Sequence, residues 1–286
     1  MKLTKEQLAE FDEQGYLFFP NYFSPEETRI LKASVPEVFA QRRPENVREK
    51  TGDVVRTAFA VHTYHPVFEA LVHHPRFVEP AEQMLGDKTY IHQFKINGKA
   101  AFDGDVWQWH QDYGTWKADD DMPEARAMNL AIFIDEVNEF NGPLWFIPQS
   151  HKKGAIEAKH DLTTTSYPLW VIDNDTIAKL VHQGGIVAPK GGPGSAIFFH
   201  GTLVHGSPRS PIWEYIGDPY SAEIALLDLT TPCGMVGHTH HPLAFYFDPS
   251  GSLAWTFPAE YQKYQLPAPV ILNPGSVGQP RDRDPR

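Results

Sequence analysis

The sequence has little of what several classes of protein require. Cys233 is the only cysteine, so no intrachain disulfide can form, and a reducing, cytoplasmic location is expected. The chain has 25 Lys and Arg residues and 36 Asp and Glu residues, which gives a formal charge of −11. This acidic balance argues against a surface that binds nucleic acid or an anionic membrane. No apolar run approaches the roughly 20 residues that cross a bilayer, and the charged start at residues 1–7 predicts a helix rather than a signal peptide.

Helix signals are concentrated in the first third of the chain. Two capping boxes, Thr4 with Gln7 and Ser24 with Glu27, predict two helices, and helical patterning returns over residues 60–86. Short strand candidates separated by Gly, Pro and Asn lie at residues 16–19, 90–96, 128–134, 144–147, 196–199 and 223–227. This order predicts an α+β protein with a β-sandwich or jelly-roll core.

The organisation of the chain indicates one large domain. We find no internal repeat and no interdomain linker, and 286 residues suffice for a sizeable core. From residue 231 onward the chain becomes rich in Pro, Gly and His and weakly periodic. We therefore predict a domain over residues 1–230 and an irregular extension over residues 231–286, with a disordered end.

A candidate metal site combines His110 and Asp112 with the distant His205. On an extended segment, residues i and i+2 point to the same side. Two imidazoles and one carboxylate are the set that holds Fe(II) on one face and leaves positions open for substrate and oxygen. An isolated His-x-Asp pair is common, so ordinary polar roles in loops are the alternative.

Other histidines compete for this role. His200 lies five residues before His205, an odd spacing on a strand, and is expected to be structural or to support a ligand from behind. None of the remaining candidates has a carboxylate at the same spacing, and we expect surface or loop roles for His62, His65, His73, His74, His238, His240 and His241.

Four motifs resemble the phytanoyl-CoA dioxygenase family, most closely its bacterial branch of ectoine and free amino-acid (proline) hydroxylases. They are Gln-Trp-His-Gln-Asp-Tyr-Gly-Thr-Trp at 108–116, Asp-Met-Pro at 121–123, Asn-Gly-Pro-Leu at 141–144 and Pro-Gln-Ser-His at 148–151. The resemblance extends from the N-terminal helix to the His-Gly-Ser at 205–207.

The resemblance implies a non-haem Fe(II)- and 2-oxoglutarate-dependent oxygenase on a double-stranded β-helix, with ascorbate as an aid in vitro. His110, Asp112 and His205 match the family's catalytic iron ligands. In the family, 2-oxoglutarate chelates the iron, and oxygen drives its decarboxylation to succinate and CO2 while a second substrate is hydroxylated. The aspartate among the ligands favours hydroxylation over halogenation.

Further residues match the family's binding positions. Gln93 matches a substrate-contacting glutamine, Trp116 a wall of the pocket, and Asn97 and Ser207 residues that bind 2-oxoglutarate. Each has an ordinary alternative: Asn97 precedes Gly98 and is typical of a turn, Trp116 fills the core as most tryptophans do, and the other two face solvent.

One departure from the family concerns the substrate. The ectoine-hydroxylase signature has Ser between the first two ligands and Phe-Glu-Thr-Trp-His after the Asp, whereas this chain has Gln111 and Tyr-Gly-Thr-Trp-Lys at 113–117. Because charge and size near the substrate differ, L-proline is expected by family analogy. Ectoine and other amino acids remain alternatives. An acyl-CoA is disfavoured because no evident basic cluster serves its phosphates.

A second departure concerns the co-substrate. The family has an arginine ten or eleven residues beyond the distal His, which pairs bidentately with the C5 carboxylate of 2-oxoglutarate. Tyr215 and Ile216 stand there instead. Arg209 is the one cation in the following stretch and is our candidate, although it lies close to His205 in sequence. Lys95 or Lys99 could serve from another strand as point charges. The chain after residue 208 does not resemble the family, through divergence or an aberrant C-terminus.

Three functions remain open on the sequence alone. The first is Fe(II)- and 2-oxoglutarate-dependent hydroxylation of a small free amino acid, with O2 and no nucleic-acid or membrane partner. The second is an impaired binding or scaffold protein that kept the fold. The third is a cupin-like oxygenase that uses iron and oxygen without 2-oxoglutarate. The sequence gives no indication of the oligomeric state.

Overall fold

The structure of the chain is a computed structural model. The chain divides into two compact units, Met1–Pro208 and Arg209–Arg286. This division lies earlier in the chain than the predicted one after residue 230. The residues it describes are 2–50, 53–100, 106–138, 141–162, 168–207, 222, 226–227, 229, 232–235, 242–258 and 263–274.

The first unit begins with the two predicted capped helices. Thr4 accepts a hydrogen bond from the Gln7 amide, and Gly15 ends the first helix with φ of 83°, a left-handed conformation that glycine adopts without strain. Within the described residues, no helix is both long and apolar enough to cross a membrane. The helices are α1 (Lys5–Gln14), α2 (Pro25–Phe39), α3 (Pro66–Val72), α4 (Pro75–Leu85), α5 (Asp112–Asp119) and α6 (Asn174–Gly184).

The strands of the first unit are short. They are β1 (Tyr16–Phe19), β2 (Asn46–Arg48), β3 (Val55–Phe59), β4 (Lys95–Asn97), β5 (Trp107–His110), β6 (Met128–Ile132), β7 (Trp145–Phe146), β8 (Lys159–Asp161), β9 (Leu169–Val171), β10 (Ala196–His200) and β11 (His205–Ser207). Two three-stranded antiparallel sheets, β1-β10-β6 and β5-β11-β7, are accompanied by β2-β3-β4 and the pair β8-β9. This mixture of helices and sheets confirms the α+β prediction.

Aromatic residues pack the first two of these sheets together. Phe146 of β7 is fully buried, stacks on Tyr16 of β1 at 5.8 Å and contacts Phe199 of β10 at 5.1 Å. The Phe199 ring in turn meets the His205 imidazole edge-on at 4.9 Å. The aromatic core therefore contacts His205, the candidate metal ligand on β11.

Several predicted strands differ from the observed elements. Only Lys95–Asn97 of the candidate at 90–96 is a strand. In the candidate at 223–227, Leu226 and Leu227 are helical. A short apolar run does not distinguish a strand from a buried helical segment, and here Leu226 is buried against Phe245.

The second unit also differs from its prediction. Its described residues form a four-stranded sheet, in the order β12-β15-β13-β14, where an irregular extension was expected. The sheet is stabilised by buried Leu243, Phe245 and Ile271. These strands are short apolar runs without alternation, so no clear period marked them among the Pro- and Gly-rich connections. The strands are β12 (Cys233–Met235), β13 (Pro242–Phe247), β14 (Leu253–Thr256) and β15 (Val270–Pro274).

Candidate metal centre and substrate pocket

His110, Asp112 and His205 lie together in one buried cluster. His110 ends β5 and pairs directly with His205, the first residue of β11. The Asp112 carboxylate lies 3.7 Å from His110 Nε2 through Oδ1 and 3.4 Å from His205 Nε2 through Oδ2. The three residues are 3, 5 and 4% exposed, and their potential ligand atoms all lie within 4.8 Å of one another. Among the described residues, this is the one such group of three or more.

Backbone carbonyls orient both imidazoles towards the carboxylate. His110 Nδ1 lies 2.6 Å from Gln108 O, and His205 Nδ1 lies 3.0 Å from Leu203 O. A carbonyl oxygen can only accept, so each Nδ1 carries the proton and each Nε2 keeps a free lone pair. Two imidazole nitrogens and one carboxylate oxygen form a donor set that suits Fe(II).

The charges in the cluster are those that metal binding requires. Burial opposes ionisation of Asp112, but Lys95, His205 and His110 outweigh it and hold the pKa of the carboxyl below its ordinary value. Burial and the neighbouring His110 lower the pKa of His205 to about 4. At neutral pH the carboxyl is therefore ionised and the His205 imidazole neutral.

Asp112 reaches the cluster from a helix rather than from a strand. Gln111 is extended (φ −117°, ψ 130°), and Asp112 is the first residue of α5. A carboxylate is favoured there by the partial positive charge of the helix N-terminus. The prediction that one extended segment carries both His110 and Asp112 was wrong, although the two residues do meet.

The Gln111 side chain links the segment of His110 and Asp112 to the segment that leads to His205 by hydrogen bonds. It is 2% exposed. Its Nε2 donates to Gly154 O at 2.9 Å and to Thr202 O, and its Oε1 accepts from Ile156 N at 2.9 Å. Thr202 lies in the turn that leads to His205. Gln111 is thus a structural crosslink whose contacts are with the backbone, a role that sequence reasoning missed when it placed this residue near the substrate.

The three predicted pocket residues that the structure describes lie on α5, on β4 and in the segment before β4. Trp116 lies one turn after Asp112 on α5 and is 5% exposed. Asn97 ends β4, where its Oδ1 accepts from the hydroxyl of Thr57 at 3.0 Å. Gln93 is half-buried, in the irregular segment that precedes β4.

Of the predicted cations, Lys95 lies at the metal cluster. Its Nζ is 3.7 Å from Asp112 Oδ1. Lys99 instead extends over Gly142, where an added Cβ would come within 2.5 Å of its Nζ. Ser207 is described only by its backbone. Arg209, Tyr215 and Ile216 lie outside the described residues.

The competing histidines stand apart from the cluster. His200 Nδ1 accepts from the Thr202 amide at 3.1 Å, and its ring contacts His151. Burial, with a smaller contribution from His151, lowers the pKa of His200 to about 4. His62, His65, His73 and His74 are absent from the cluster, and His238, His240 and His241 lie outside the described residues.

Comparison with known proteins gives matches over most of the first unit. A family model described as phytanoyl-CoA dioxygenase matches residues 11–211. The ectoine dioxygenase of Sphingopyxis alaskensis is 34% identical over 215 residues, which cover 72% of this chain and 70% of that protein. The L-proline trans-4-hydroxylase of Streptomyces griseoviridis is 33% identical over 210 residues, which cover 70% and 78%.

Solved structures match over the same part of the chain. EctD from S. alaskensis with bound Fe superposes with a TM-score of 0.64 at 34% identity, covering 72% of this chain and 71% of that one. The same protein with 2-oxoglutarate and 5-hydroxyectoine gives a TM-score of 0.63 at 33% identity, with coverage of 72% and 70%.

Proposed function

Because the chain belongs to the phytanoyl-CoA dioxygenase family and is a 2-oxoglutarate-dependent dioxygenase that uses iron, we propose that it hydroxylates a small free amino acid, with L-proline as the first candidate. We also propose that its two aromatic-packed sheets form a jelly-roll (double-stranded β-helix) core. The observation that carries the proposal is the buried His110, Asp112 and His205 cluster with both imidazole Nε2 atoms facing the carboxylate. When bound, Fe(II) and 2-oxoglutarate supply the oxidising chemistry that uses O2 and yields succinate and CO2.

The three cluster residues would hold the metal. His110 and His205 contribute Nε2, since their Nδ1 protons are engaged by carbonyls. Asp112 contributes a carboxylate that is already ionised. With three protein ligands, the metal would keep coordination positions for 2-oxoglutarate and oxygen.

Lys95 supplies a cation for the anionic co-substrate. Its side chain is 27% exposed, and its Nζ lies 3.7 Å from Asp112 and 5.7 Å from the centre of the Trp107 ring. With Asp112 as a metal ligand, the Lys95 ammonium would be free to pair with a carboxylate of a bound anion. Asn97 lies two residues along β4, on the same face, where Thr57 fixes its amide. Ser207 and Arg209 remain proposed 2-oxoglutarate contacts.

Gln93 and Trp116 form the proposed contacts of the second substrate. Trp116 shares a face of α5 with Asp112, so a molecule against the indole lies beside the metal. Gly114 stands where the ectoine signature has Glu. It is two residues from both Asp112 and Trp116 and therefore lies on another face of α5, where an added Cβ would meet only the Gln111 Cβ, at 3.9 Å. The absence of the signature's carboxylate from this helix supports a substrate other than ectoine.

Ectoine is the second candidate substrate. Several of the matched relatives are ectoine dioxygenases, and their identity to this chain is close to that of the proline hydroxylase. Both compounds are small zwitterions, so both suit a pocket that contains a cation and an aromatic wall.

The deciding experiment measures succinate formation from 2-oxoglutarate with Fe(II) and ascorbate, with L-proline, with ectoine and with neither. We expect L-proline to stimulate succinate release in step with hydroxyproline formation, and His110→Ala to abolish both. His200→Asn, which changes a histidine outside the cluster, should retain turnover.

Each of the other outcomes contradicts part of the proposal. Stimulation by ectoine alone would identify ectoine, and not L-proline, as the substrate. Iron binding without turnover of 2-oxoglutarate would favour the impaired binding protein. Substrate oxidation that needs iron and oxygen but no 2-oxoglutarate would favour the cupin-like oxygenase.

A further inference from the structure

Helix α5 carries both a metal ligand and a wall of the substrate pocket. Asp112 and Trp116 are four residues apart and therefore lie on the same face, and both are buried. A helix of eight residues is too short to be stable by itself. Contacts with other elements must therefore hold it in place. Those at its C-terminal end, one turn from Trp116, act on the indole rather than on Asp112 at the opposite end.

The C-terminal end of α5 has two adjacent carboxylates, Asp119 and Asp120. Negative charge at a helix C-terminus is unfavourable because it meets the negative end of the helix dipole, so these residues do not stabilise the helix by their charge. Each is instead hydrogen-bonded to the ring of another element. Asp119 Oδ1 accepts from Trp170 Nε1 of β9 at 2.9 Å, and Asp120 Oδ2 lies 3.0 Å from His92 Nε2.

His92 makes a second contact that Trp170 does not. Its ring meets the Trp116 indole edge-on, with 5.2 Å between ring centres and an interplanar angle of 69°. Because the Asp120 carboxylate accepts, His92 Nε2 donates, and this hydrogen bond fixes the orientation of the imidazole against the indole. His92 also directly precedes Gln93, in the irregular segment before β4.

We propose that His92 and Asp120 are positioning residues, which fix the substrate pocket by joining the segment that carries Gln93 to the helix that carries Trp116. The inference rests on the proposed function for the identity of the pocket residues. It deepens that function by assigning to this pair the placement of the second substrate, while the metal and 2-oxoglutarate are held by other residues.

The pair should affect one kinetic parameter more than the others. Without the hydrogen bond, the indole and the Gln93 amide lose their fixed relative position. We expect the KM for the second substrate to rise about fivefold to tenfold in Asp120→Ala and in His92→Ala, as for the loss of one charge-assisted hydrogen bond. Succinate release per hydroxylated product should rise as well, because a misplaced substrate uncouples the two oxidations. The KM for 2-oxoglutarate and the iron affinity should stay within about twofold.

Two further variants separate positioning from general stability. Asp120→Asn keeps an oxygen that accepts from His92 and should restore the KM to within about twofold of the wild type. Asp119→Ala removes the neighbouring carboxylate at the same helix end, whose partner Trp170 stacks on His160, and should leave the KM for the second substrate unchanged. Equal effects of Asp119→Ala and Asp120→Ala on this KM would overturn the assignment.

A measurement without any substrate keeps the inference independent of the substrate assay. Hydrogen exchange should accelerate in peptides over residues 88–94 and 112–117 of Asp120→Ala, and over residues 168–172 of Asp119→Ala. Failure of every tested compound to stimulate the wild type would count against the proposed function while leaving this readout intact. Unchanged exchange over 88–94 in Asp120→Ala would overturn the positioning role.

Discussion

The metal side and the substrate side of the site are built differently. His110 and His205 are almost fully buried and are oriented by hydrogen bonds to backbone carbonyls. The proposed binding side, for substrate and co-substrate, is instead held by side-chain pairs: His92 with Asp120, both exposed, and the exposed Asn97 with the buried Thr57. Backbone carbonyls stay in place when side chains are substituted, so the orientation of the two imidazoles should survive most substitutions around them. The contacts of the other side can be removed one residue at a time.

The largest effect should come from removing the carboxylate on the metal side. Asp112→Ala leaves two imidazoles, and we expect turnover to fall by at least about 10³-fold, or about 4 kcal/mol, with a large loss of iron affinity. Steady-state succinate assays and iron titration measure the two effects. Asp119→Ala, at the other end of the same helix, is the matched control and should keep turnover. Full coupled turnover by Asp112→Ala would contradict the ligand assignment.

The crosslink between the two ligand-bearing segments should give the next largest effect. Gln111→Met keeps the volume but removes the partner of one buried backbone group, at Thr202, and of two half-buried ones, at Gly154 and Ile156. We expect a loss of about 2–4 kcal/mol in the free energy of unfolding, measured by urea denaturation, together with weaker iron binding. Gln183→Met, at an exposed position of α6, should change stability by less than about 0.5 kcal/mol. Equal stabilities of the two variants would show that Gln111 is no crosslink.

Part of this metal site could be predicted from the sequence, and part of it could not. The metal ligands could be predicted because their residue types and spacing form a motif. The helical start at Asp112 could not, since Gly114 and the β-branched Thr115 are poor helix formers and tertiary contacts decide the conformation. Lys95 could be proposed as a cation, but its placement depends on the long-range register of β4 against β3, in which Lys95 lies opposite Phe59.

The link between His92 and Asp120 was missed for a related reason. The two residues are 28 positions apart in the sequence, and neither belongs to a local pattern that indicates its partner. The strand predicted over residues 90–96 would have given His92 a regular position in a sheet, whereas residues 90–94 are irregular. Side-chain pairs between an irregular segment and a short helix are specified only by the folded chain.

On the boundary between the two sides, Lys95 tests how the co-substrate is held. Lys95→Met removes the ammonium but keeps the length of the side chain. We expect the KM for 2-oxoglutarate to rise about tenfold, or about 1.4 kcal/mol, while Lys95→Arg should retain most of the affinity. Lys99→Met is the control, because its side chain lies over Gly142 rather than at the cluster. An unchanged KM in Lys95→Met would transfer the role to another cation.

The smallest effect concerns a histidine behind the metal side, and it appears only in acid. The pKa of His200 is about 4 in the folded chain against about 6.5 when unfolded, so between these values the unfolded state binds more protons. The stability contributed by the neutral imidazole is therefore complete above about pH 6.5 and is lost as the pH falls towards 4. His200→Asn keeps an acceptor for the Thr202 amide without a titrating ring. After allowance for partial solvation, the wild type should lose about 1 kcal/mol more than this variant between pH 7.5 and 5.0, as measured by urea unfolding. Parallel losses in the two proteins would mean that the acid sensitivity of the fold arises elsewhere.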